Sequence, residues 1–168
     1  MKWIKHISAF FLMLILFGCG KYSFTTTDIG NAKTFQVTLF ENNARLVEPG
    51  IDTDFTESLR NLLVNQTQLN LVNTAGDLTY EGEIIEYQIS PTSANSNNRA
   101  TQNRLSMTVN VRFFNTLDEQ KNFEKSFSFF FDYDGSSLLQ GSLKNTAHEE
   151  IFERLTQDIF NESLASSF

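Results

Sequence analysis

Few side chains in this chain of 168 residues could carry out chemistry. Of the two histidines, His6 lies in the apolar leader, and His148 opens the motif His148-Glu149-Glu150-x-x-Glu153. A helical zinc site of this kind needs a second histidine four residues on, which is absent. Acidic residues are favoured at a helix start by the helix dipole alone, so we interpret His148 as part of a solvated helix start. The chain also lacks serine-nucleophile, phosphate-loop and dinucleotide motifs, so its sequence predicts no catalytic residue, metal or cofactor.

Cys19 is the only cysteine and ends an amino-terminal apolar run. Lys2 and Lys5 precede residues 7–17, which are apolar except for one serine. A run of this length is typical of a secretory signal and is too short to span a bilayer, which takes about 20 apolar residues. Leu16-Phe17-Gly18-Cys19 resembles the bacterial lipobox L-x-G-C, which implies cleavage before Cys19, diacylation of its sulfur and acylation of the new amino group. Several acyl chains anchor a protein stably. The alternative is an ordinary signal that leaves a free or buried thiol.

The domain organisation follows from this signal. We expect a leader at 1–18, a lipidated tether at 19–32 and one domain at 33–168, because the remaining length suits a single hydrophobic core. Removal of the leader takes away two lysines and leaves 11 basic against 20 acidic side chains, so the formal charge moves from −7 to −9. Nucleic acid is therefore disfavoured as a partner, since its binding depends on cations that neutralise phosphates.

Hydrophobic periodicity predicts an α+β fold. Alternating patterns predict strands at 34–40, 77–90, 103–115 and 123–133, and helical patterns predict helices at 52–65 and 146–163. Capping-box pairs stand at both predicted helix starts, Asp54 with Glu57 and Thr146 with Glu149. In the second strand the alternation changes phase at Ile84-Ile85, which predicts a β-bulge. We therefore expect two helices packed on one face of a mostly antiparallel four- to five-stranded sheet, with the other face open.

Five short motifs occur in order along the mature chain. They are Cys19-Gly20-x-Tyr22-Ser23-Phe24, Phe55-Thr56-Glu57-x-Leu59, Gly76-Asp77-Leu78, Asn103-Arg104-Leu105 and Asp158-Ile159-Phe160-Asn161. Each is short and mostly structural, but in this order and spacing they resemble the LptE family of lipopolysaccharide-assembly lipoproteins, in its Bacteroidetes branch.

The resemblance implies a non-enzymatic lipoprotein, anchored by its lipid to the outer membrane. Gly20 after the cysteine is not an inner-membrane retention aspartate and no acidic run follows it, so we expect the periplasmic side of that membrane. It also implies a fold of two helices on a β-sheet, seated inside the lumen of an LptD-type β-barrel. In this role the chain plugs the barrel, assists its assembly and binds lipopolysaccharide weakly during transport to the outer leaflet. The alternative is a freestanding outer-membrane lipoprotein that binds a small lipid or glycan in the periplasm.

Two pairs of residues are candidates for contact with such partners. Arg99 lies in the loop 91–103, which is longer than a hairpin needs, and Arg104 follows it. Guanidinium groups bind phosphates by bidentate hydrogen bonds, so both arginines suit the lipopolysaccharide headgroup. In the alternative, Arg99 is a solvated charge and Arg104 pairs with an acid on a neighbouring strand. Phe114 and Phe130 lie out of phase with the buried side chains of their strands and would need cover from the barrel partner.

Overall fold

The computed structural model describes residues 29–94 and 100–165, and within them the chain forms six strands and two long helices. In chain order these elements are β1 (Thr34–Val37), β2 (Glu41–Asn42), α1 (Ile51–Gln66), β3 (Asn70–Leu71), β4 (Leu78–Ala94), β5 (Ala100–Asn115), a short 3-10 helix (Glu119–Lys121), β6 (Phe123–Asp134) and α2 (Gly141–Leu164). The predicted α+β fold is confirmed, with two short strands beyond the predicted set. The predictions for Cys19, the tether up to residue 28 and Arg99 lie outside the described residues.

The strands form one mixed sheet in the order β3-β1-β4-β5-β6, and β2 pairs with β4 beside β1. β4, β5 and β6 pair as an antiparallel meander, as predicted. The pairs of β1 with β3 and β4, and of β2 with β4, are parallel. Parallel neighbours need a crossover connection, and α1 supplies it between the amino-terminal strands and β3 and β4.

The predicted β-bulge is present in β4. Ile84 pairs with Val109 and Glu86 pairs with Thr108, so Ile85 is left without a partner in β5. Ile84 is fully buried, whereas Ile85 is 44% exposed. The alternation of buried and exposed residues therefore shifts by one at the bulge, so that apolar residues before and after it point to the same, core-facing side of the sheet.

The hydrophobic core lies between the two helices and one face of the sheet. Its fully buried residues on β5 are Leu105, Met107, Val109, Val111 and Phe113, and those on the helices include Phe55, Leu59, Leu63, Ile151, Leu155 and Ile159. The helices meet through Phe55 and Phe152, whose rings contact edge to face with centroids 5.6 Å apart. Both helices cover the same face of the sheet, so the opposite face of the meander is open, as expected.

Both helices begin earlier than the sequence predicts. Gly50 precedes α1 with a φ of 82°, a conformation that glycine adopts without strain, and Ile51 is buried at the first helical position. α2 begins at Gly141, five residues before Thr146, and Leu143 packs against the core. Burial of these apolar side chains outweighs the capping signals, so neither predicted capping box forms. None of the helices in the described part of the chain is long and apolar enough to cross a membrane.

Candidate functional site

The open face of the sheet is the candidate functional site, because it carries three of the four side chains predicted to meet a partner. It is formed by alternate residues of the meander that point away from the helices. These residues are Glu81, Glu83, Glu86 and Gln88 on β4, Arg104, Ser106, Thr108, Asn110, Arg112 and Phe114 on β5, and Glu124, Ser126, Ser128, Phe130 and Asp132 on β6.

The centre of the open face is a network of hydrogen bonds between strands. Asn110 donates to Glu83 at 3.2 Å, and Arg112 donates to the same carboxylate at 3.2 Å. These two hydrogen bonds lower the pKa of Glu83, Asn110 having the larger effect. Thr108 donates to Glu86 at 2.9 Å. An ionised carboxylate held by fixed donors is a poor proton donor, so this network suits recognition rather than acid catalysis.

Arg104 and Phe130, both predicted site residues, lie together at one end of the open face. Arg104 donates from Nε and Nη2 to the two carboxylate oxygens of Asp132, at 2.7 and 2.8 Å. Its guanidinium carbon lies 3.5 Å from the centroid of the Phe130 ring. The hydrogen bonds from Arg104 lower the pKa of Asp132. The structure thus contains the alternative partner, an acid on the neighbouring strand, and three of the five N–H groups of Arg104 point elsewhere.

Phe114 and Phe130 do not form one patch. Phe130 pairs with Ser106 across the sheet, eight residues before Phe114 on β5, a separation of about 26 Å along a strand. The two rings are 40% and 42% exposed, and neither is covered by the helices. A partner that contacts both rings must therefore span most of the length of the meander.

His148 has a role that its sequence context does not predict. Its Nε2 lies 2.8 Å from the hydroxyl of Tyr87, and its ring stacks on Phe152 with centroids 5.5 Å apart. Desolvation lowers the pKa of His148. The interpretation as a solvated helix start is wrong, because α2 begins at Gly141, seven residues before His148, and the His148 side chain contacts Tyr87 of the sheet. The spacing of four residues to Phe152 is the sequence signal for a shared helix face.

Residues 29–94 and 100–165 contain no group of three or more His, Cys, Asp or Glu side chains that could hold a metal ion. The interactions on the open face are hydrogen bonds, ion pairs and a ring contact between neighbouring strands. Such a surface can bind and orient a partner.

Solved structures with a similar fold are known. The hypothetical protein CT253 from Chlamydia trachomatis aligns with a TM-score of 0.52 and 12% identity, over 79% of this chain and 98% of its own. Rare lipoprotein B from Shewanella oneidensis aligns with a TM-score of 0.46 and 15% identity, over 76% of this chain and 89% of its own. A minor lipoprotein from Acinetobacter baumannii has a TM-score of 0.48 and 15% identity, over 81% and 98%. The first of these supports the fold.

The family is shown by a sequence model. No curated protein matches the chain significantly. The model of the LptE family, described as lipopolysaccharide-assembly, matches residues 32–163. This range is most of the chain: it includes every strand of the sheet, all of α1, and α2 up to one residue before its end. The predicted family is confirmed, while its Bacteroidetes branch stays a prediction. The chain belongs to the LptE family of lipopolysaccharide-assembly proteins.

Proposed function

We propose that the chain is a lipid-anchored outer-membrane lipoprotein that plugs an LptD-type β-barrel and assists its assembly. Membership of the family assigns the chain a part in lipopolysaccharide assembly, which is not an enzymatic activity. The observation that supports the more specific role is the open face, a sheet surface with ordered side chains that none of the described elements covers. A surface of this kind fits a broad partner such as a barrel wall better than a small ligand.

In the same proposal, Arg104 and Arg99 bind lipopolysaccharide. Arg104 is held in place by Asp132 and keeps three N–H groups for a phosphate. Arg99 stands five positions earlier in the sequence, in the connection between β4 and β5. In this proposal both guanidinium groups contact phosphates of the lipopolysaccharide headgroup, and the Phe130 ring beside Arg104 contacts the partner.

A crosslinking experiment tests the plug role. A photoreactive amino acid is placed at Phe114 on the open face, and a matched control is placed at Val64, which is 49% exposed on α1. We expect Phe114 to crosslink in cells to a protein of outer-membrane barrel size and Val64 to crosslink more weakly. Crosslinking that is equal at the two positions, or a chain that purifies as a lone monomer, contradicts the plug role and favours a freestanding lipoprotein.

The lipid anchor is tested separately, with Cys19→Ala behind a secretory signal that is cleaved without lipidation. Anchoring raises the effective concentration of the domain at a membrane partner, so its loss should reduce the amount of assembled complex at equal, low expression. The complex is measured by copurification with the barrel. If the unanchored chain assembles as well as the anchored one, the anchor has no part in assembly.

A further inference from the structure

The outer edge of β6 is a regular strand edge that pairs with no other strand in the described part of the chain. β6 is the last strand of the sheet and pairs only with β5, over twelve consecutive residue pairs without a register shift. It contains no proline in its 12 residues. The opposite edge of the sheet, β3, has only 2 residues. A long, unbulged edge presents a row of backbone N–H and C=O groups to another extended chain.

A groove runs along this edge between β6 and α2. It contains two cavities of about 370 and 250 Å³. We call this surface the β6–α2 groove, and its lining residues are Lys125, Phe127 and Phe129 on β6 and Glu150, Glu153, Arg154, Gln157, Asp158, Asn161 and Glu162 on α2. The larger cavity includes Phe127 and the smaller one includes Phe129, two residues further along β6. Two residues of a strand span about 6.6 Å, so the cavities match alternate side chains of an added strand.

The two cations that line the groove both lie over aromatic rings. Lys125 pairs with Glu162 at 2.7 Å, and its Nζ lies 5.5 Å from the centroid of the Phe127 ring. The guanidinium carbon of Arg154 lies 5.8 Å from the centroid of the Phe129 ring. Each cation is thus placed over an aromatic face, where the ring quadrupole attracts positive charge.

The negative net charge of the groove favours a cationic partner. The groove has four carboxylates and two cations, so its net formal charge is negative. Arg154 pairs with Asp158 at 3.3 Å, whereas Glu150 and Glu153 form no ion pair with residues 29–94 or 100–165. Both side chains are exposed at the cavity of Phe129. A second copy of this chain would bring an equally acidic groove against them, so a cationic partner is favoured.

We propose that the β6–α2 groove binds an extended, cationic segment of a partner protein, which adds to the sheet as a strand along β6. Main-chain hydrogen bonds to β6 supply the affinity, and a Lys or Arg that enters the cavity of Phe129 pairs with Glu150 and Glu153. The side chain two residues away enters the cavity of Phe127, whose other lining residues are polar or charged. This interaction goes beyond the plug role and does not depend on it, because it uses the edge of the sheet rather than the open face.

The test uses the full lipoprotein in detergent and a fluorescent peptide. The peptide has seven residues, alternates threonine with isoleucine and carries lysine at its centre. A second peptide has glutamate in place of the lysine. We expect saturable binding of the lysine peptide and weaker binding of the glutamate peptide.

Glu153→Lys should weaken binding of the lysine peptide about fivefold, or about 1 kcal/mol, the scale of one half-exposed ion pair. Glu153→Lys should also bind the glutamate peptide more tightly than the unaltered chain does.

Glu149→Lys is the matched control, because Glu149 is an exposed acid on α2 that does not line either cavity. It should change the affinity less than twofold. Hydrogen exchange gives a second measurement, in which the peptide should slow exchange of alternate amides along β6. The proposal is overturned if the lysine peptide does not bind, if Glu149→Lys weakens binding as much as Glu153→Lys, or if exchange along β6 is unchanged. It is also overturned if the amides of the β6 edge are already protected in the free chain, since another segment or a second copy then occupies the edge. A failure of lipopolysaccharide transport or barrel binding changes none of these results.

Discussion

Removal of the Ser163 hydroxyl should destabilise the fold more than removal of the Tyr80 hydroxyl, although the two groups form one hydrogen bond. Tyr80 is fully buried on β4, and its Oη lies 2.9 Å from Oγ of Ser163 on α2. Ser163 Oγ also donates to the carbonyl of Ile159 at 2.8 Å. A serine hydroxyl has only one proton, and with that proton given to Ile159, Tyr80 is the donor to Ser163. This hydrogen bond connects the carboxyl-terminal end of α2 to the sheet.

The two single substitutions leave different groups unpaired. Ser163→Ala leaves the Tyr80 O–H buried without an acceptor, and the free energy of unfolding should fall by about 1–3 kcal/mol. Tyr80→Phe removes the donor while Ser163 keeps its hydrogen bond to Ile159, so the loss should be about 0.5–1.5 kcal/mol. The double variant leaves no unpaired donor, and its stability should lie close to that of Tyr80→Phe. The expected coupling energy therefore equals in size the loss caused by Ser163→Ala, about 1–3 kcal/mol.

Urea unfolding of the mature chain with Cys19→Ala measures these free energies. Thr156→Val serves as the control, since Thr156 is also buried on α2 but its hydroxyl donates only to carbonyls of its own helix, the nearer being that of Phe152 at 2.7 Å. Its loss should be smaller than that of Ser163→Ala. The reasoning is refuted if Ser163→Ala costs no more than Tyr80→Phe, or if the effects of the two substitutions simply add.

Three further predictions follow from other contacts. Gly82→Ala should lower the free energy of unfolding by about 3 kcal/mol, because the new Cβ would meet a β5 carbonyl and lie 2.5 Å from the Phe40 ring; urea unfolding at unchanged m-value measures this, and a loss below about 1 kcal/mol contradicts it. The Asp77 carboxylate accepts a hydrogen bond from the backbone N–H of Lys33 and others from the next residue, which lower its pKa below 3.8. Its stabilising effect is present above that pH and is lost as pH falls through the lower pKa of the folded state, so Asp77→Asn should reduce the dependence of stability on pH below about 4. Arg104→Ala should weaken lipopolysaccharide binding in a direct binding assay, whereas Arg112→Ala, which stands eight residues further along β5 and away from Phe130, should not; equal effects contradict a headgroup site at Arg104.

The meander was predictable because one of its faces is buried. β5 alternates without a break from Leu105 to Phe113, and each of those apolar residues is fully buried. The phase change at Ile84-Ile85 also predicted the bulge, since an extra residue must shift the alternation. Such a pattern can be read from the sequence of one strand, because successive side chains of a strand point to opposite faces of the sheet.

Other features depend on segments that are far apart in the chain. β2 and β3 have two residues each, too few for any pattern. The pair of Tyr87 with His148 joins residues 61 positions apart, and the partner of Arg104 was only one of two alternatives until the register of β5 and β6 fixed Asp132 beside it. The β6–α2 groove was missed for the same reason, because its acids and its strand edge belong to different elements.

Because β1 pairs in parallel with β4, its contacts should form later in folding than those of the meander. Phe35 pairs with Leu78, and α1 and β3 lie between them in the chain. β4, β5 and β6, in contrast, pair with their neighbours in the chain and can form with short loop closures. β1 and α1 precede β4 in the chain, but these elements have no sheet to join until β4 is in place. We therefore expect contacts of β1 to form late, so that substitutions there speed unfolding more than they slow folding.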